Sequence, residues 1–88
     1  MDLEAIKDAT VLNIYHIDAE KKVPLHEHPG HDEIFYFMKG SGFAVLENEE
    51  VALEVGQSFI APAGVMHSLR TDGDIIVTAV RMPVLDED

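Results

Sequence analysis

Short runs of strand-forming residues, separated by turn residues, set the tightest limit on how this chain folds. TVLNIYHI, VPLHEH, EIFYFM, FAVLE, VALEV, QSFIAP, MHSLR and IIVTAVR follow one another along 88 residues. Between them lie DAEKK, Pro29-Gly30, Lys39-Gly40-Ser41-Gly42, Asn48-Glu49-Glu50, Gly56, Pro62-Ala63-Gly64 and Asp72-Gly73. Turns at intervals of roughly 8–12 residues predict about eight short strands in a sandwich or barrel. Asn48-Glu49-Glu50 and Asp72-Gly73 read as hairpin turns. Pro24 places VPLHEH at an edge or bulge, because proline has no N–H for a ladder. Residues 2–8 read as a helical turn capped by Asp2, and the acidic LDED end is expected to fray.

The length allows one domain, residues 1–88. A chain this short buries only roughly 60–65% of its unfolded surface. A bound ion or a second copy would add stability, and a homodimer is expected. Six Lys+Arg against 17 Asp+Glu give a net charge of −11. That argues against nucleic acid or an anionic membrane as a partner. There is no apolar run of spanning length and no leader-like start, so a cytoplasmic protein is expected. With no cysteine there is no disulfide, thiolate nucleophile or Cys-type metal site.

The chemistry concentrates in His26-Glu27-His28-Pro29-Gly30-His31-Asp32-Glu33. On a strand, His26 and His28 point the same way, about 6.6 Å apart along it. Pro29-Gly30 turns the chain, and Glu33 opens an apolar strand that can return beside the first. Imidazole and carboxylate together suit a divalent transition metal. Phe35 and Phe37 share parity with Glu33 and should face the interior with it. Downstream, Gly56, Pro62, Gly64 and His67 stand in the order G-x5-P-x-G-x2-H. Gly56 can end a strand sharply, and Pro62 and Gly64 can shape the turn that delivers His67.

Together, His26-x-His28-x4-Glu33-x6-Gly40 and the Gly56–His67 pattern resemble the paired motifs of the cupin family, at 26–40 and 56–71. The resemblance departs at two outer positions, where Glu20 replaces the usual Gly and Thr71 the usual Asn. It implies a jelly-roll β-barrel with a metal held inside by His26, His28, Glu33 and His67. Such a set leaves about two positions open on a six-coordinate ion. The resemblance implies a metal-dependent enzyme of dioxygenase, decarboxylase or isomerase type acting on a small molecule, with Fe, Mn, Ni or Zn as the ion. The rival is a non-enzymatic module that binds or senses a metal or small ligand.

Other residues have two readings each. His31 is a fifth ligand, proton shuttle or gate, or a solvated turn residue. His16 reads as a wall residue. Arg70 and Arg81 either anchor a substrate carboxylate or pair with surface acids. Tyr15 and Tyr36 are proton donors or wall residues, and Met66 lines the entrance or fills a gap. Ser58 and Ser68 lack the Gly-x-Ser-x-Gly elbow of a hydrolytic nucleophile. No catalytic residue is assigned.

Overall fold

A computed structural model describes residues 2–21 and 23–85. One short helix, α1 (Leu3–Ala9), precedes seven strands. These are β1 (Val11–Asp18), β2 (His31–Lys39), β3 (Gly42–Leu46), β4 (Glu50–Leu53), β5 (Ser58–Ala61), β6 (His67–Arg70) and β7 (Asp74–Pro83). Asp2 caps α1, its Oδ1 accepting from the backbone N–H of Glu4 at 3.0 Å and Ala5 at 3.3 Å. No residue of α1 is buried, so the helix adds little to the core.

The strands form two antiparallel sheets, β1-β7-β2-β5 and β4-β3-β6. Side chains alternate faces along each strand, and the buried ones fill the space between the sheets. On β2, Glu33, Phe35 and Phe37 point inward and Tyr36 and Met38 outward. On β7, Ile75, Val77 and Ala79 point inward, and Ala44, Leu53 and Leu69 complete the core from the facing sheet. Phe37 is fully buried, which stabilises the fold by about 1.5–3 kcal/mol relative to exposure.

Gly40 makes the corner from β2 to β3 possible. Its φ is +80°, and a Cβ there would lie 2.0 Å from the backbone oxygen of Asp74. Thr71 closes the same corner from the other side. Its hydroxyl donates to Ser41 O at 2.7 Å and accepts from Gly73 N at 3.0 Å. The departure at Thr71 from the family pattern therefore leaves a working turn.

The structure corrects four expectations. Among the described residues there are seven strands, not eight. VPLHEH is reduced to one bridge, His26 to His67. Continuing that antiparallel register sets Pro24 opposite Leu69, where the ladder needs an N–H that proline lacks. The stretch still occupies the eighth-strand place beside β6. The order of strands is that of a double-sheet jelly roll, but the sheets do not close into a barrel. Next, β2 begins at His31 rather than Glu33. Finally, Asp72-Gly73 is not a hairpin turn: β6 pairs with β3 while β7 pairs with β1 and β2. That turn moves the chain from one sheet to the other.

The outer face of the β1-β7-β2-β5 sheet is apolar. Leu12, Val80, Ile34 and Ile60 lie in one row across its four strands. Leu12, Ile14, Tyr36, Met38 and Ile60 on this face are each 46% exposed or more. No helix among the described residues is long and apolar enough to cross a membrane.

Candidate metal centre

Three parts of the fold deliver the four candidate ligands. Glu33 comes from β2 in one sheet, and His67 is the first residue of β6 in the other. His26 and His28 come from the stretch between β1 and β2. A reciprocal pair fixes its position: His26 N donates to His67 O at 3.0 Å, and His67 N to His26 O at 2.8 Å. Pro29-Gly30 then reverses the chain, with His31 N donating to His28 O at 3.3 Å. The Pro62–Gly64 turn aims His67. Val65 N donates to Pro62 O at 3.1 Å, and Gly64 has a φ of 81°, a conformation glycine adopts without strain. Asp32 Oδ1 accepts from Ala63 N at 2.8 Å and ties that turn to the start of β2.

One donor atom from each of His26, His28, Glu33 and His67 lies within 4.8 Å of the other three. His28 Nε2 and His67 Nε2 each stand 3.1 Å from Glu33 Oε1. Adjacent ligands of an octahedral ion with bonds of about 2.1 Å are about 3.0 Å apart. Backbone carbonyls orient two of the rings. His26 Nδ1 is 2.9 Å from Pro24 O, and His67 Nδ1 is 2.8 Å from Val65 O. A carbonyl only accepts, so each Nδ1 carries the proton and, in the neutral ring, Nε2 presents its lone pair. At His67 that lone pair faces a carboxylate oxygen. Two acceptors 3.1 Å apart repel unless a proton or a cation stands between them. The donor set thus fits a divalent transition metal, with His and carboxylate chemistry common to Fe, Mn, Ni and Zn sites.

Burial suits the same role. Glu33 and His67 are almost inaccessible, while His28 and His26 are partly open. Burial holds the His28 imidazole below its usual pKa, outweighing the opposing pull of the Glu33 carboxylate, and Arg81, His26 and His67 push the same way as burial. The ring is therefore neutral near pH 7, the form that coordinates.

A cavity of about 220 Å³ opens beside the donor cluster, with His26, His28 and Glu33 in its wall. Tyr15, Ile17, Val23, Phe35 and Leu69 give it an apolar wall, with Lys21, Ser68 and Arg81 as further polar residues. Phe35 does what its parity predicts, lying 5.6 Å centroid to centroid from the His67 ring.

The remaining sequence candidates separate cleanly. His31 is half-buried and outside the four-donor cluster. His16 is exposed and pairs with Asp74 at 2.5 Å. Arg70 is taken by surface acids: its Nε and Nη2 each reach a Glu50 oxygen at 2.6 Å, Nη1 reaches Asp72 at 3.2 Å, and it lies over the Phe43 ring. That pairing holds the Glu50 carboxyl below its usual pKa and raises the Arg70 guanidinium above its own. Arg81, by contrast, faces the cavity. Tyr15 lines the cavity, whereas Tyr36 lies on the opposite face of its sheet. Met66 is half-buried and is not part of the cavity wall. Ser58 is exposed, and Ser68 donates its hydroxyl to Val23 O at 2.7 Å, so neither serves as a nucleophile. Sequence reasoning missed Lys21, Val23 and Leu69 as cavity residues, since nothing in a polar turn or a short apolar run marks a cavity wall.

Comparison with known proteins agrees with this architecture. A family model described as a cupin domain matches residues 13–81. The uncharacterized protein MJ1618 of Methanocaldococcus jannaschii is 30% identical over 54 residues, 61% of this chain and 43% of that protein. The aligned stretch thus spans less than half of that relative. KdgF from a Halomonas species superposes with a TM-score of 0.74 at 28% identity, over 88% of this chain and 71% of the other. A protein described as a predicted oxalate decarboxylase from Thermotoga maritima gives a TM-score of 0.81 at 24% identity, over 96% and 76%. The last likeness carries the fold alone.

Proposed function

Since the chain belongs to the cupin family, we propose that it binds one divalent transition metal through His26, His28, Glu33 and His67 and uses it to act on a small molecule. One observation carries the reading: the four donors converge, and three of them, His26, His28 and Glu33, line the wall of a cavity rather than a closed shell. A four-ligand set on a six-coordinate ion leaves positions for water, O2 or substrate, which a purely structural site does not. The metal supplies Lewis-acid or redox chemistry when bound. The chain's own residues present three imidazoles and the Glu33 carboxyl group and surround the reacting space with apolar wall.

Oxygenation, decarboxylation and isomerisation are all compatible with these donors. The Thermotoga maritima neighbour, as a predicted oxalate decarboxylase, makes small acids worth including in a screen. The test is to load the protein with Fe(II), Mn(II), Ni(II) or Zn(II), measure bound metal, and follow O2 uptake and product with catechols, β-diketones, thiols and oxalate. Near-stoichiometric metal with turnover of one compound is expected. Absence of bound metal would overturn the proposal.

A second reading has an observation of its own. His31 stays out of the cluster, and the cavity offers few acid–base groups beyond the ligands. That favours a module that binds or senses a small ligand through the metal. A compound that raises the melting temperature and is recovered unchanged after long incubation decides for this reading.

A further inference from the structure

Beside the candidate metal centre, the buried Nε of Arg81 has no hydrogen-bond acceptor among the described residues. Arg81 stands on β7 directly across from Glu33 of β2, on the inner face of the sheet. Its Nε lies 3.8 Å from Glu33 Oε2, beyond hydrogen-bond length. That Nε is buried and finds no hydrogen-bond acceptor among the described residues. Arg70 shows the contrast, with both oxygens of Glu50 satisfying its guanidinium. The guanidinium keeps its ion pair with Glu33 and is one-third exposed, but a buried N–H without an acceptor is unfavourable, and such an atom calls for a water, an ion or a ligand.

We propose that Arg81 anchors the carboxylate of a small organic acid that enters the cavity and reaches the open positions of the metal. This rests on the metal reading above and names the ligand class of that site. Guanidinium presents a planar fork that matches a carboxylate, which a point charge does not. Charge favours the same ligand. Lys21 is the other cation on the cavity wall, and Glu33 is the one acid there. A divalent ion on the four donors leaves this cavity net positive, in a chain whose net charge is −11. Size and polarity narrow the class. About 220 Å³ corresponds to roughly seven water volumes. Ile17, Val23 and Phe35 suit a short hydrocarbon body and offer nothing to a sugar-like array of hydroxyls. The ligand is a 2-oxo acid or dicarboxylate of a few carbons.

The experiment compares wild type with Arg81→Met and Arg81→Lys. Circular dichroism checks the fold, and elemental analysis measures bound Mn(II) or Zn(II). Calorimetric titrations use pyruvate, malonate and the neutral malonamide, on metal-loaded and metal-free protein. Both variants are expected to keep their metal. Arg81→Met should bind malonate and pyruvate on the order of 10- to 100-fold more weakly. Arg81→Lys should recover part of that loss, and malonamide should bind all three proteins alike. Equal malonate affinity in wild type and Arg81→Met overturns the inference, as does an equal loss for malonamide. Loss of metal in Arg81→Met also overturns it, and makes Arg81 a positioning residue for Glu33. Metal-loaded wild type that binds neither acid overturns this inference and leaves the metal reading standing. Wild type that takes up no metal overturns the metal reading. The metal-free titrations then decide the role of Arg81: Arg81-dependent binding of malonate keeps the anchor, and its absence removes it.

Discussion

Of the four proposed ligands, His28 is the one whose removal should separate metal binding from folding. It lies outside the strand ladders, and its side chain is 23% exposed. Truncation to Ala therefore removes little packing, and about 1 kcal/mol of metal-free stability is a fair expectation. For a domain of this size that lowers Tm by about 4–8 °C. The metal-dependent part is larger. Metal at 100 times its Kd stabilises the wild type by about 2.7 kcal/mol, or about 11–22 °C. Loss of even an outer group that orients a ligand weakens metal binding by about 10–100-fold, so loss of a ligand should cost at least about 100-fold. At the same metal concentration the variant then sits near its own Kd, where the gain is only about 0.4 kcal/mol, or about 2–3 °C. Thermal melts of both proteins, with and without metal, measure all four quantities, and elemental analysis gives occupancy. If His28→Ala kept the full metal-dependent rise in Tm, or its metal content, the ligand assignment would be wrong.

Gly40→Ala and Gly56→Ala form a matched pair, because both positions have positive φ but only Gly40 is crowded. Urea unfolding should show about 1 kcal/mol lost at Gly56 from backbone conformation and about 2–4 kcal/mol at Gly40, where overpacking adds to it; equal losses would refute the close approach to Asp74. The lowered His28 pKa gives a pH dependence of fixed sign. The unfolded chain binds this proton more readily, so metal-free stability from His28 is complete above pH 6.5 and declines as pH falls from 6.5 toward the folded pKa. Urea midpoints that rise instead as pH falls through this window, relative to His28→Asn, would contradict the sign. Metal should protect backbone amides of residues 25–28 from hydrogen exchange, since a single bridge to β6 holds that stretch; unchanged exchange on metal loading counts against His26 and His28 as ligands. The outer face of the β1-β7-β2-β5 sheet exposes several large apolar side chains and carries no charge in its central row, which suits a second, equally acidic copy. Sedimentation is expected to show a dimer, with Ile14→Lys shifting it to monomer; a monomeric wild type would refute this pairing.

What the sequence revealed depended on the range of the interaction. The inward row Glu33, Phe35, Phe37 follows from strand parity alone, and the structure buries all three. The β3–β4 hairpin around Asn48-Glu49-Glu50 is also local, closed by Leu46 N donating to Glu49 O at 2.8 Å. The histidine spacing sufficed to bring His26, His28 and Glu33 near one another, and the glycine–proline turn sufficed for His67. Three things needed cross-strand register. Pro24 shortens its segment because of what stands opposite it on β6. Asp72-Gly73 looks like a hairpin turn, but the strands on its two sides belong to different sheets. Arg70 and Arg81 are equivalent as letters, yet β6 presents one to Glu50 and β7 presents the other to the cavity.

The open side of the sandwich and the candidate metal centre have one cause. A full eighth strand beside β6 would satisfy its own backbone and pull its side chains into a regular pleat. Pro24 prevents this, and among the described residues of that stretch the chain instead makes one backbone bridge to β6, at His26, beside the Ser68 hydroxyl bond to Val23 O. The two donors from this stretch are thus held by one backbone pair and by His26 Nδ1 at Pro24 O, the carbonyl of the same residue that interrupts the ladder. Glu33 and His67 are fixed by opposite sheets and nearly inaccessible. An ion bound by all four would join both sheets and the loosely held stretch at once, acting where the backbone ladder is missing. Such a cross-link adds most to a chain with a thin core. A residue that cannot form a ladder would also leave space beside a bound ion that a full strand would fill.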